Sequence, residues 1–395
     1  MTYKQIYLKR GKDESLRRFH PWVFSGAIQR FDDGIEEGET VEVLTADGEF
    51  IAVGHFQLGS IAVRVLSFRR ISIDDEFWAS RLSSALQMRQ AIGLCDNASN
   101  DSYRLVHGEG DHLPGLIIDV YGQTAVMQAH SIGMHLARHA IASQLLNVMQ
   151  GRIANVYYKS ETTLPYMEPE NGFLYGESTD NTALENGLRF QVDWLRGQKT
   201  GFFIDQRENR ALVQQLAFNH RLLNCFGYTG GFSLAALKGG ADYVETVDIS
   251  KKAIDLCNRN VEMNFPGCSN HTGTVADVLQ YIQTIKQSDN QAFDFIILDP
   301  PAFAKNHRTL QQGLKGYRAI NQRAMEKIAP GGLLMTFSCS LAVSKEDFQT
   351  MVFTAAMNAH RRVRIVRQLP HAMDHPVSIH HPEGEYLKGL LLEVE

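Results

Sequence analysis

The chain is short of cysteine and has no long hydrophobic run. Its 395 residues contain five cysteines, an odd and small number that excludes a disulfide-stapled scaffold and fits a reducing compartment. No apolar stretch approaches the roughly 20 residues that span a bilayer, which excludes a transmembrane protein. The N-terminal segment lacks the apolar core of a secretion signal. We therefore expect a cytoplasmic protein that makes no membrane contact.

Internal repeats, heptads and low-complexity tracts are also absent from the sequence, which excludes solenoids and coiled coils. There is no excess of positive charge, because 39 Lys and Arg stand against 44 Asp and Glu, for a net charge of −5. This balance excludes a histone-like polycation but leaves room for a local basic face that binds nucleic acid. With 44% hydrophobic and 21% charged residues the chain is typical of globular proteins, and its length suggests two or three domains.

Residues 1–75 are predicted to form a small, mostly β domain. Short apolar runs alternate there with Gly and Asp turns, and Asp47-Gly48 is a strong hairpin signal between two of them. The first 30 residues carry seven Lys or Arg against two acidic residues. We expect phosphate contacts on this positive segment, with a solvated charged face as the alternative. The candidate RNA-binding residues are Lys9, Arg10, Arg17 and Arg18.

Residues 76–185 are predicted to be a mixed α+β domain. A helix begins near its start, strand-like runs follow, and a second helix is expected over about 133–149. No motif for chemistry appears in this region. Its expected role is to shape a cleft between its neighbours.

Residues 186–395 alternate short apolar runs with helical segments. This alternation predicts a doubly wound parallel sheet of the α/β class, in which a ligand binds at the carboxyl ends of the strands. Ser344 and Asp347 form a capping-box pattern that predicts the start of a further helix. Strands are expected at 221–226, 243–248, 272–277, 293–299 and 332–337, and helices from about 231, over 250–264 and over 316–329.

The first strand-to-helix turn of this region is rich in glycine, at Gly227, Gly230 and Gly231. Such a turn admits a ligand near a helix N-terminus. Asp248 ends the second strand, where a carboxylate would accept the hydroxyls of an adenosine ribose, and Asp277 is placed to meet an adenine amino group. NAD enzymes and S-adenosylmethionine enzymes share this pattern, but the spacing is not G-x-G-x-x-G, which favours a cofactor other than a dinucleotide.

The last two predicted strands end in a carboxylate and a thiol. Asp299 is followed by Pro300 and Pro301, whose rigid elbow would aim the carboxylate at the cleft. Cys339 follows the fifth strand, in place for a nucleophile, whereas Cys225 and Cys257 are expected in the core and Cys95 and Cys268 lie in loop-like surroundings. Four clustered histidines match no zinc spacing, so no metal is expected; they are His371, His375, His380 and His381.

Several uncommon strings, in order along the whole chain, resemble the bacterial 23S ribosomal RNA large-subunit methyltransferase I family of cytosine carbon-5 methyltransferases. They are His20–Ala27, Ser102–Leu105, Lys199–Arg207, Asn224–Phe232, Asp299–Pro301, Phe337–Ser340 and Glu383–Gly389. The resemblance implies an N-terminal PUA-type RNA-binding domain, a small middle domain and a C-terminal class I (Rossmann-like) methyltransferase domain.

The same resemblance implies the site residues. Cys339 would be the nucleophile and Asp299 its catalytic partner, with S-adenosylmethionine as the cofactor. The implied cofactor-binding residues are Lys199, Gly201, Phe203, Asp205, Gln206, Phe226, Gly227, Thr229, Gly230, Gly231, Asp248, Ile249, Asp277, Asp299 and Pro300. One departure from many RNA 5-methylcytosine enzymes is that the Asp-Pro-Pro motif contains no second cysteine, so any role of such a cysteine in product release must fall to another group.

The predicted function is therefore methylation of carbon 5 of a cytosine in 23S ribosomal RNA, or in a precursor of the large subunit, through a thiolate adduct at carbon 6. The main alternative is amino-group methylation of guanine N2 or adenine N6, which needs no thiol. An RNA-binding assembly factor without turnover and an NAD-dependent oxidoreductase are weaker alternatives. A homodimer is left open.

Overall fold

The computed structural model describes residues 3–285, 292–304 and 306–395. The chain folds into two compact units, of which the first comprises 1–187, 192–204 and 373–384 and the second comprises 188–191, 205–372 and 385–395. The division into domains 1–75, 76–185 and 186–395 stays a prediction. In the described ranges, no helix combines the length and the apolar character needed to cross a membrane.

The first unit begins with a six-stranded sheet in the order β2-β6-β5-β4-β1-β3. The predicted hairpin at Asp47-Gly48 is confirmed: β4 and β5 pair antiparallel, and Gly48 takes the left-handed conformation (φ +87°) that the turn requires. A buried cluster that includes Ile6, Val43 and Val63 fills one side of the sheet. The elements are β1 Lys4–Leu8, α1 Glu14–Arg17, β2 Trp22–Phe24, β3 Ile28–Phe31, β4 Thr40–Leu44, β5 Phe50–Phe56 and β6 Ile61–Ser67.

The rest of the first unit is a five-stranded sheet, β11-β10-β9-β8-β7, with helices packed on it. Asp74 caps α2 by accepting from Phe77 N at 3.1 Å. The helix expected over 133–149 is two helices, which meet at Ala137. The elements are α2 Asp75–Ala91, β7 Ser102–His107, β8 Leu116–Tyr121, β9 Thr124–Ala129, α3 Ile132–Leu136, α4 Arg138–Met149, β10 Asn155–Tyr158, β11 Gly172–Tyr175 and β12 Thr182–Glu185.

The second unit is built on a seven-stranded sheet in the order β16-β15-β14-β17-β18-β20-β19. The first five of these strands run parallel, and β20 pairs antiparallel with both β18 and β19. The elements are β13 Leu188–Gln191, α5 Arg207–Leu216, β14 Arg221–Cys225, α6 Gly231–Lys238, β15 Tyr243–Asp248, α7 Lys251–Asn264, β16 His271–Val275, α8 Val278–Thr284, β17 Phe295–Leu298, α9 Leu310–Lys327, β18 Gly332–Ser338, α10 Lys345–Asn358, β19 Val363–Leu369 and β20 Lys388–Val394.

This arrangement confirms the doubly wound parallel sheet predicted from the alternating pattern. The chain leaves β14 toward β15 on one side, and β17 lies on the other, so the strand order reverses beside β14. A ligand site is expected at the carboxyl ends of these strands. Helix α9 begins at Leu310, six residues earlier than predicted, because Asn306 caps the 3₁₀ turn that leads into it.

Candidate active site

The loop between β14 and α6 has a tight, strained backbone. Phe226 and Tyr228 take positive φ values of 58° and 45°, and Gly230 takes +86°. A side chain at Gly227 would overlap the Thr246 methyl group, and one at Gly230 would overlap the Cys257 sulfur. Only glycine therefore allows the loop to lie this close to β15 and α7. Gly231 is the first residue of α6, so the first backbone N–H groups after this loop have no partner within the helix.

Asp248, the last residue of β15, ties this loop to the end of its strand. Its carboxylate accepts from Tyr228 N at 3.0 Å and from Ser250 N at 2.8 Å. The carboxylate is half-buried, whereas the following Ile249 is 72% exposed. Because each carboxylate oxygen has two lone pairs, Asp248 can still accept from ligand hydroxyls.

Asp277 follows β16 as the N-cap of α8, where its side chain accepts from Gln280 N at 2.9 Å. The strand expected over 272–277 ends at Val275, because Asp277 already belongs to the helix start. Its half-buried carboxylate thus has a capping role, beside the cofactor contact predicted for it.

The residues 205–207 belong to the second unit and lie at the start of α5. Asp205 accepts from the Tyr386 hydroxyl at 2.6 Å. Gln206 is 2% exposed, and its side-chain carbonyl accepts from Asn209 at 2.6 Å. No acceptor for its buried Nε2 group lies in the described part of the chain. A buried amide N–H without an acceptor is costly, which marks a place for a ligand oxygen.

Lys199, Gly201 and Phe203 belong to the first unit, in a segment (residues 199–203) that we call the strap. The Thr200 hydroxyl donates to the buried carboxylate of Asp119 at 2.6 Å. Gly201 has a φ of +113°, and a Cβ there would stand 2.7 Å from the backbone of Trp194, which is fully buried. The strap is therefore held on the β8 strand by a hydrogen bond and by close backbone packing.

Asp299 and Cys339 follow β17 and β18, which are neighbours in the sheet with Leu298 opposite Thr336. The two residues thus leave the same edge of the sheet. The Cys339 sulfur donates to the Pro300 carbonyl at 3.9 Å, and both Cys339 and Asp299 are half-buried. The sequence prediction of a thiol beside the Asp-Pro-Pro elbow agrees with this placement, while the roles of both residues stay predictions.

The other cysteines are poorer nucleophiles. Cys225 and Cys257 are fully buried, and burial raises the pKa of both thiols, to about 12 for Cys257. This confirms their expected place in the core. Burial also raises the pKa of Cys95, and Cys268 is half-buried and contacts Asn270 rather than any strand end.

Sequence reasoning assigned no role to two groups beside Cys339. The Lys388 ammonium is buried and donates to the carbonyls of Ser340 and Tyr386, at 2.6 and 2.7 Å. The Tyr317 hydroxyl is 2.8 Å from the Ser340 hydroxyl. Lys388 lies in one of the recognisable strings, Glu383–Gly389, but only the antiparallel pairing of β20 with β18 brings it to the strand end that precedes Cys339.

Comparison with known proteins agrees with this geometry. Residues 162–376 match the family model described as S-adenosylmethionine-dependent methyltransferase, and residues 6–68 match that of a PUA-like domain. A protein from Aliivibrio fischeri named ribosomal RNA large subunit methyltransferase I is 38% identical, over 98% of this chain and 99% of the relative. The chain belongs to the ribosomal RNA large subunit methyltransferase I family.

Solved structures show the same fold. A Streptococcus mutans protein described as a methyltransferase dependent on S-adenosylmethionine aligns over the full length of both chains with a TM-score of 0.84 and 21% identity. A structure of a methyltransferase complexed with S-adenosylhomocysteine gives the same TM-score, identity and coverage. The predicted fold class, a class I methyltransferase with an N-terminal PUA-like domain, is therefore confirmed.

S-adenosylmethionine is the cofactor of this family, and the second unit has groups that suit it. The Asp248 carboxylate has lone pairs that could accept from ribose hydroxyls, and the first N–H groups of α6 have no partner within the helix. The buried Gln206 amide lacks an acceptor in the described ranges, and the cofactor's own carboxylate is one. These residues fit the group that the family model requires.

The basic residues predicted for RNA binding lie in the PUA-like domain, and all four are exposed. Arg17 is engaged by two carboxylates, Asp13 at 2.6 Å and Glu49 at 2.8 Å, so its charge is already offset. Lys9 donates to the Gly26 carbonyl and Arg10 is 3.8 Å from Asp47. The charge of Arg17 is therefore offset more closely than that of Lys9, Arg10 or Arg18, and the RNA-binding role of all four stays a prediction.

The histidine cluster separates in space. His371 stacks on Tyr386 in the second unit, whereas His375, His380 and His381 belong to the first. His381 meets His20 and Glu383, and these three offer ligand atoms within 4.8 Å of one another. His20 Nδ1 accepts from Trp22 N at 3.2 Å, and His20 Nε2 lies 3.7 Å from a Glu383 carboxylate oxygen. That no metal binds here stays a prediction.

Proposed function

We propose that this enzyme methylates carbon 5 of a cytosine in large-subunit ribosomal RNA, with Cys339 as the nucleophile. The name of its relatives and its PUA-like domain support the RNA substrate. The observation that carries the proposal is the position of the Cys339 thiol, 3.9 Å from the Pro300 carbonyl at the edge where β17 and β18 end. Substrates of doubly wound folds bind at this edge.

Carbon 5 of cytosine is a poor nucleophile, and a covalent adduct with the thiol would make it more nucleophilic. The Cys339 thiolate would form a bond to carbon 6, which breaks the ring's aromaticity and gives carbon 5 the reactivity of an enamine. S-adenosylmethionine, when bound, supplies an electrophilic methyl group on a sulfonium. Once carbon 5 has bonded to that methyl group, whose former bonding electrons stay with the departing sulfur, transfer of the carbon-5 proton to a water molecule would let the bond between the Cys339 sulfur and carbon 6 break. This returns the thiolate and restores the aromatic ring.

Asp299 is proposed to hold the edge of the base. A carboxyl group beside N3 and the amino group of cytosine would stabilise the adduct by hydrogen bonding. The target base must also leave any stack to reach this edge of the sheet, which predicts a single-stranded or locally opened RNA. The exposed side chains of Lys9, Arg10 and Arg18 would bind phosphates of the flanking RNA.

The alternative is methylation of a base amino group. Its support is Phe303, which follows the Asp-Pro-Pro elbow and whose ring centroid lies 4.7 Å from that of Tyr317. An aromatic ring at this position could stack on a purine base. This chemistry needs no thiolate, so the two functions differ in what they require of Cys339.

The test is methyl transfer from labelled S-adenosylmethionine to protein-free large-subunit ribosomal RNA, followed by nucleoside analysis. We expect labelled 5-methylcytosine from the wild type, none from Cys339→Ala, and wild-type levels from Cys268→Ala, the matched loss of another half-buried thiol. A labelled purine, or full activity of Cys339→Ala, would contradict the proposal and support the amino-group reaction. The same assay on assembled subunits distinguishes free RNA from a particle as substrate.

A further inference from the structure

A buried lysine lies at the edge of the sheet where Cys339 leaves β18. Lys388 is the first residue of β20 and stands opposite Ser338 in the antiparallel ladder, one residue before the cysteine. Its Nζ donates to the carbonyl of Ser340, one residue after the cysteine, at 2.6 Å. A second bond to the Tyr386 carbonyl at 2.7 Å fixes the ammonium in place. The backbone of Lys388 thus pairs with the residue before Cys339, and its ammonium bonds to the carbonyl of the residue after Cys339.

This ammonium is buried without a carboxylate partner among the described residues. Lys388 is 6% exposed, and the nearby Glu385 is instead paired with Lys345 at 2.6 Å. Burial lowers the pKa of Lys388 to about 8, whereas an ionised Cys339 and, after it, the Glu385 carboxylate act in the opposite direction. The group thus stays mostly protonated at pH 7. A buried positive charge bonded only to neutral carbonyls is costly unless an anion forms nearby.

Three other described residues near this strand end, Tyr317, Asp299 and Lys345, do not favour ionisation of the thiol. Burial raises the pKa of Tyr317, so its hydroxyl stays neutral and serves as a hydrogen-bonding group to Ser340. Asp299, on the neighbouring strand end, is an acid and would disfavour a second negative charge. Lys345 is a cation, but its side chain is 57% exposed and its charge is offset by Glu385. Of these groups, Lys388 is the buried cation.

We propose that Lys388 is a positioning residue that stabilises the Cys339 thiolate. This inference rests on the proposed role of Cys339 as nucleophile. Electrostatic coupling between two titrating groups is reciprocal. Because the ionised cysteine favours the charged form of the lysine, the charged lysine favours the ionised form of the cysteine by the same amount. The enzyme would thereby hold the reactive form of the thiol near neutral pH, where an ordinary thiol with a pKa of about 8.5 is mostly protonated.

The test is the pH dependence of alkylation of Cys339 by iodoacetamide, followed by mass spectrometry of its peptide in the full-length protein without RNA or cofactor. The wild type should show an apparent pKa below 8.5. In Lys388→Met we expect the profile to move up by about one pH unit, which makes alkylation about 10-fold slower at pH 7. Lys388→Arg should retain most of the wild-type profile. Lys345→Met is the matched control and should not change it, and the Cys268 peptide is the internal reference in every sample.

An unchanged alkylation profile in Lys388→Met would overturn the inference. A pKa of Cys339 at or above 8.5 in the wild type would overturn it too, and that measurement does not depend on whether a variant folds. Turnover provides a second readout: Lys388→Met should lower kcat more at pH 7 than at pH 9, whereas a purely structural defect lowers it equally at both. The proposed function fails separately. If Cys339→Ala still methylates RNA while the alkylation profile responds to Lys388, the thiolate is stabilised but is not the nucleophile.

Discussion

Thr200→Val should loosen the strap and weaken cofactor binding. The Thr200 hydroxyl donates to Asp119 at 2.6 Å, and Asp119 is fully buried and held by two hydrogen bonds from Arg104, at 2.7 and 2.9 Å. Valine keeps the shape of threonine and removes only the hydroxyl. Because Asp119 keeps Arg104, the substitution removes the tie to the strap without leaving a buried carboxylate unpaired.

The expected size follows from the kind of bond that is lost. A hydrogen bond to a charged group contributes about 1.5–3 kcal/mol. The strap is predicted to contact S-adenosylmethionine; if it must be in place for binding, the loss raises the Kd by at most about 10- to 150-fold, in proportion to how often the strap then leaves its place. Part of the loss will be offset by the second tie, in which Tyr121 donates to the Phe202 carbonyl at 3.4 Å, so we expect the lower end of this range.

Calorimetric titration with S-adenosylmethionine measures the effect directly. Thr163→Val is the matched control, since Thr163 donates its hydroxyl to the Ala129 carbonyl at 2.5 Å elsewhere in the same unit. Thr200→Ser should restore tight binding. If Thr200→Val lowers the melting temperature as Thr163→Val does but leaves the Kd unchanged, the strap has no part in holding the cofactor, and the roles predicted for Lys199, Gly201 and Phe203 lose their support.

Two further predictions concern stability. Gly54→Ala should destabilise the six-stranded sheet by about 1–3 kcal/mol, because a Cβ there overlaps the Arg64 carbonyl, while Gly26→Ala, which meets open space, should be nearly neutral in urea unfolding. Burial lowers the pKa of His55 to about 4 from 6.5, so its neutral form is favoured in the folded state. Above pH 6.5 folded and unfolded chains carry the same proton count at His55; as the pH falls from 6.5 toward 4 the unfolded chain binds the proton first, and stability drops by up to about 1.4 kcal/mol per pH unit. His55→Gln should flatten the acid slope of urea unfolding in that window, and an unchanged slope would mean that His55 is already accessible to protons.

Local signals in the sequence predicted the fold well. The Asp47-Gly48 turn, the capping box of Ser344 with Asp347, and the strand Tyr243–Asp248 are all present as expected. The errors lie at two helix starts whose N-cap residues were not identified from the sequence. Asn306 caps the 3₁₀ turn that leads into α9, so this helix begins six residues before its predicted start. Asp277 is the N-cap of α8 instead of the last residue of β16.

The site was predictable only where its residues follow strands directly. The carboxyl ends of neighbouring parallel strands meet, so Asp299 and Cys339 could be brought together from the pattern alone. Contacts between distant parts of the chain gave no such signal. Thr200 reaches Asp119 across 81 residues, and Lys388 reaches the end of β18 through a strand pairing that periodicity does not specify. His20 and His381 meet across the length of the chain in the same way.

The lysine also bears on which base atom is methylated. Amino-group transfer asks nothing of Cys339, so a neutral thiol packed among apolar neighbours would serve, and an apolar residue at position 388 would avoid the cost of burying an ammonium. Addition to carbon 6 instead requires a thiolate, which is the anion that a buried, fixed cation stabilises. Lys388 donates to backbone carbonyls on the strand end that carries Cys339 and leaves its positive charge unpaired among the described residues. The presence of that charge is therefore better explained by carbon-5 chemistry than by amino-group transfer.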